Sequence, residues 1–157
     1  MSATTVDGSR SGGGFERFGE DAQWFRDLLA EKGVKIKSPS PMDDALKAMT
    51  QISDAVKSGI EPALRNGNAL LRLLTDGVGG RHLISFVRRA VAINPKVFDG
   101  KWHLFRGPDA LLARYRGHSP TRNFMWELYV AALCLRGTRD VTIAENDNPD
   151  VRCKLGT

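Results

Sequence analysis

The chain has 157 residues, 41% of them hydrophobic and 26% charged, with a formal net charge of +5, the ordinary balance of one globular domain or of a helical region plus part of a second. No apolar run reaches the roughly 18 residues that a membrane span requires. The N-terminus lacks the basic, apolar, small-residue order of a secretory signal, so a cytoplasmic protein is expected. Cys134 and Cys153, the only two cysteines, form neither a disulfide framework nor a CxxC metal clip.

Residues 1–14 are small and polar and read as a disordered tail. Phe15, Phe18, Ala22, Phe25, Leu28 and Leu29 then recur at steps of three and four. This spacing predicts an amphipathic helix closed by Gly33 at the C′ position. Ser40 followed by Pro41 reads as an N-cap with proline at N1. The stripe Met42, Ala45, Leu46, Met49, Ile52 and Val56 predicts a second helix ending at Gly59.

Ile60, Leu64, Leu71 and Leu74 make a third stripe, and Asp76–Gly80 reads as a glycine turn. Leu83, Ile84, Val87, Ala90 and Val91 predict a fourth helix stopped by Asn94-Pro95. Lys96–Gly107 is ambiguous, and Pro108 opens a short basic helix ending near Gly117. Ser119-Pro120 caps a helix through Phe124, Leu128, Ala131 and Leu135 to Gly137. The period then changes. Val141 and Ile143, then Val151, Cys153 and Leu155, alternate as strands do, with the turn cluster Asn146–Pro149 between them. The expected fold is mainly α: a disordered tail over 1–14, a helical region over 15–117, and a helix–strand–strand start of an α/β core over 118–157.

Charge is concentrated. Arg81–Arg122 holds nine Lys/Arg against Asp99 and Asp109, a local +7 that also contains all three histidines. Such a stretch attracts polyanions, nucleic acid first among them. Arg88, Arg89, Arg114, Arg116 and Arg122 are the candidate phosphate contacts. Phe86, Phe98, Trp102, Phe105 and Tyr115 interleave with these basics. Aromatics in this pattern can stack on bases, but at helical spacing they more often belong to a core. Gly77–Gly80 follows a helix and lacks the Lys-Ser/Thr ending of a phosphate loop. His82, His103 and His118 are too widely spaced for a zinc site.

Arg122–Gly156 resembles the opening of the PD-(D/E)xK, or restriction-endonuclease-like, superfamily. The helical glutamate of that pattern matches Glu127, the first strand matches Thr138–Glu145, and the Pro-Asp pair matches Pro149-Asp150. The resemblance implies a Mg²⁺-dependent nuclease acting on DNA first and RNA second. Asp150 would be the main metal ligand and Glu127 a second carboxylate. Such an ion neutralises the scissile phosphate and supplies hydroxide near neutral pH. The pattern departs in one respect: no acid-x-Lys follows Asp150, and Arg152 stands two residues before Lys154. The chain as given is therefore expected not to cleave DNA by itself.

Two alternatives stay open at this point. Glu127 can be a charge on the shoulder of an amphipathic helix, and Asp150 can be turn chemistry after Asn-Pro. The protein would then be a non-catalytic helical module binding nucleic acid or protein, with its terminal strand edge open to a second copy.

Overall fold

A computed structural model of the chain describes residues 14–58, 67–106, 126–128, 130, 131, 134, 141–143 and 151–153. Residues 1–13, the stripe positions Ile60 and Leu64, the basic helix after Pro108, the Ser119-Pro120 cap and the Asn146–Pro149 turn lie outside the described residues.

A 3-10 turn, Phe15–Arg17, leads into α1, Phe18–Glu31. Phe18, Asp21, Ala22, Phe25 and Leu29 are its buried positions, one face of a 3.6-residue repeat. Gly33 terminates it at φ 71, the left-handed conformation that glycine adopts without steric cost. The Gly33 N–H donates to Ala30 O at 3.0 Å and the Val34 N–H to Leu29 O at 2.8 Å. That pair of bonds is a Schellman closure, and the accompanying apolar contact is supplied by Val34 and Leu29, both buried.

α2 spans Pro41–Ser58. Ser40 Oγ accepts the Asp43 N–H at 3.2 Å, the N-cap bond expected from Ser-Pro. Lys47 Nζ and Ser38 Oγ both donate to Asp43 Oδ2, at 2.7 and 2.6 Å. These bonds, Lys47 first, hold the Asp43 carboxyl below the usual aspartate range. The buried face comprises Met42, Ala45, Leu46, Met49 and Ile52, widened by Ala48 and Ser53 because α2 packs on both other helices. Ser53 Oγ is satisfied by donating to Glu16 O at 2.6 Å.

α3 spans Gly67–Ile93 without a break, roughly 40 Å at 1.5 Å per residue. The expected glycine turn at Asp76–Gly80, and with it the division into a third and a fourth helix, is overturned. Among the described residues only Gly33 and Gly100 have positive φ. Gly77 and Gly80 instead occupy the buried stripe of α3, together with Asp76, Leu83, Ile84, Val87 and Ala90. A Cβ on Gly77 would collide with Ile52 Cδ1, and one on Gly80 would lie 3.1 Å from both Ala45 Cβ and Met49 Sδ. The glycines are there to let α2 approach, facing Ala45 and Ala48. Each glycine costs about 1 kcal/mol of helix propensity, and the close packing offsets it.

Gly79, between them, would meet nothing within 4 Å if it carried a Cβ. Gly79→Ala is therefore expected to stabilise the protein by about 0.5–1 kcal/mol. Gly77→Ala is expected to destabilise it by about 1 kcal/mol, since overpacking outweighs the propensity gain. Urea midpoints of the two variants decide the matter; a loss for Gly79→Ala would restore a turn there.

Asn94-Pro95 ends α3 as expected, with the Asn94 side chain accepting the Lys96 N–H at 3.1 Å. Tight turns then carry the chain to a 3-10 helix, Trp102–Arg106. This resolves the ambiguous segment. Phe98 and Phe105 are fully covered and Trp102 nearly so. Phe105 meets Phe25 of α1 edge-on at 5.6 Å and Phe98 at 5.7 Å, the T-shaped geometry that aromatic quadrupoles favour. Leu128 and Ala131, on helical backbone, join the same core, with Cys134 partly buried against it.

The expected start of an α/β nuclease-like core is also overturned. The described chain is mainly helical, and no strand lies within residues 14–58 or 67–106. The described β structure consists of β1, Val141–Ile143, and β2, Val151–Cys153. They pair antiparallel with each other, Thr142 opposite Arg152. An α/β core needs strands flanked by helical layers and joined by crossovers; two three-residue segments in one ladder do not supply that.

A candidate polyanion-binding surface

Of the residues that the nuclease resemblance singles out, Asp150 lies outside the described residues and Glu127 lies inside the core. Glu127 is 9% exposed, next to the fully covered Leu128. Its Oε2 is 3.4 Å from Lys101 Nζ, and that side chain is itself only 15% exposed. Lys101 stands in the turn just before the 3-10 helix, so the pair ties residue 127 to the segment after α3. A magnesium ion keeps several waters in an octahedral shell. Here the Glu127 carboxylate is largely covered and faces an ammonium.

The candidate phosphate contacts divide. Arg114, Arg116 and Arg122 lie outside the described residues. Arg88 and Arg89 are both on α3 and have different surroundings. Arg88 Nη1 is 2.8 Å from Asp21 Oδ1, and Arg81 Nε is 2.9 Å from Asp21 Oδ2. Each guanidinium also lies over an aromatic ring of α1: Arg81 over Phe18 at 5.1 Å and Arg88 over Trp24 at 4.4 Å. Helical spacing produces this arrangement. Phe18, Asp21 and Trp24 follow one another at steps of three on α1, while Arg81 and Arg88 are two turns apart on α3.

Asp21 was not among the residues expected to matter. Its signal was present: an acid inside the apolar stripe, three residues after Phe18 and four before Phe25, has to find a partner. Which partner could not be read, because both arginines are at least 60 positions away.

Arg89, Lys96, His103 and Arg106 are exposed. Arg89, Lys96 and Arg106 enter none of the ion pairs among the described residues. The sole acid between Arg81 and Arg106 is Asp99. Among the described residues, the aromatics of the basic stretch are mostly turned away from solvent, since Phe98, Trp102 and Phe105 are core; Phe86 is half-buried and stacks on His82 at 5.1 Å. A groove of about 310 Å³ between α2 and the first half of α3 is lined by Asp44, Lys47, Gln51, Arg72, Leu73 and Asp76. Its two acids balance its two bases, so it has no net field to draw in a polyanion.

Comparison of the chain with protein-family models, with curated proteins and with solved structures returns no match. What the surface can do is therefore argued from its own chemistry. It presents more cations than acids, on a helix and the turns that follow it.

Proposed function

We propose that the protein is a non-catalytic helical module that binds nucleic acid, duplex DNA first, through the phosphate backbone. One observation carries this reading. Between Arg81 and Arg106 six Lys/Arg stand against a single acid, and after the internal pairs of Arg81, Arg88 and Lys101 are accounted for, Arg89, Lys96 and Arg106 remain exposed. Cations so placed release counterions from DNA when they meet phosphates, which gives sequence-independent affinity. The covered position of Glu127 supports binding over hydrolysis.

Fluorescence anisotropy with a labelled duplex, titrated at several salt concentrations, tests this. Log affinity is expected to fall linearly with log salt. The triple variant Arg89→Gln, Lys96→Gln, Arg106→Gln is expected to flatten that slope by roughly 2–3, about 0.9 per phosphate contact. Affinity that does not respond to salt removes the reading. Magnesium-dependent nicking of plasmid DNA that disappears in Glu127→Gln would replace binding with catalysis.

A further inference from the structure

We infer that Arg88 is a pre-organised phosphate contact of this surface, held in position by Asp21 and Trp24; this rests on the nucleic-acid reading above. A long cationic side chain on an open surface has to give up its rotamer freedom when it grips a phosphate, and that loss subtracts from affinity. Arg88 has already given it up. Its Nη1 is held 2.8 Å from Asp21 Oδ1 and its guanidinium lies 4.4 Å from the Trp24 ring centre. Two contacts at different angles fix both the position and the plane of the fork.

The same side chain is 47% exposed, so it is held without being hidden. Guanidinium has five N–H donors, and among the described residues Arg88 commits only Nη1 to an acid. Asp21 is one carboxylate facing two guanidinium groups. Ser85, three residues earlier on α3 and exposed, sets a hydroxyl donor on the same side of the helix. The ligand chemistry is therefore a phosphodiester group, approached by the free edge of a fixed fork. Arg89, the next residue, is exposed without such supports and serves as the built-in comparison. Arg88 is the contact; Asp21 and Trp24 are positioning residues.

The test uses the full chain, a labelled DNA duplex and variants that preserve net charge. Arg88→Lys is expected to weaken binding about tenfold, because an ammonium neither stacks nor forks as a guanidinium does. Arg89→Lys is expected to stay within about twofold, since an unsupported arginine acts mainly as a point charge. Trp24→Leu, which keeps every charge, is expected to weaken binding several-fold with the salt slope unchanged; it serves if Arg88→Lys proves too unstable to assay. Wild-type affinity in Arg88→Lys, or in Trp24→Leu, overturns the inference while the nucleic-acid reading stands. A wild-type protein that binds no duplex at low salt removes the reading itself, and the inference with it.

Discussion

Phe105→Ala is expected to lower the unfolding free energy by roughly 3–5 kcal/mol, the range for emptying a buried phenylalanine site. Phe105 is fully covered and its ring meets Phe25, Phe98 and Trp102 at 5.6, 5.7 and 5.7 Å. No single neighbour can fill the space it leaves, because each is held by the others. Urea unfolding followed by tryptophan fluorescence measures the loss. The result also separates two meanings of an aromatic inside a basic stretch. If these rings were base-stacking groups, truncation would leave stability intact and weaken nucleic-acid binding; as core, truncation does the reverse per unit of folded protein. A loss below about 1 kcal/mol would put Phe105 at the surface.

Asp21→Ala is expected to cost about 2 kcal/mol. Removing one member of a fully buried ion pair typically costs roughly 3–5 kcal/mol, since it strands the other charge. Here the stranded partners can rehydrate in part, because Arg81 and Arg88 are 25% and 47% exposed, and the cost falls accordingly. All four contacts of the cluster are between α1 and α3, so the variant loosens the packing of those helices. A double-mutant cycle of Asp21→Ala with Arg81→Ala measures the coupling directly. Additive effects within about 0.3 kcal/mol would mean that the carboxylate and Arg81 do not interact energetically. The comparison with Glu127 is instructive: both acids lie on the inner side of a helix, and both are answered by cations remote in sequence.

How much of this was legible depended on the range of each interaction. α1 and α2 were readable because their signals are local. Gly33 and Val34 close α1 by bonds to Ala30 and Leu29, and Ser40 caps α2 by a bond three residues away. The apolar stripes of both helices named their buried faces. Gly77–Gly80 was misread for a corresponding reason. A glycine cluster serves a turn and a close helix crossing equally well, and the side chains that distinguish them, Ala45, Ala48, Met49 and Ile52, belong to another helix. The resemblance over Arg122–Gly156 was equally local. It could not name the cation that faces the Glu127 carboxylate, Lys101, because that partner is 26 positions away.

By itself, the amino-acid order determined that the described chain is mainly helical, where the first helix closes and the second opens, and that positive charge gathers after Arg81. Hydrogen bonds and periodicities that span three or four residues carry all of that. The tertiary structure decided which cations are paired with Asp21 and Glu127 and which enter no ion pair among the described residues, which aromatics are core, and that α3 runs unbroken through its glycines. Those outcomes depend on contacts across 26 to 67 positions of sequence, between Lys101 and Glu127 and between Asp21 and Arg88. Only the packing of whole helices brings such pairs together.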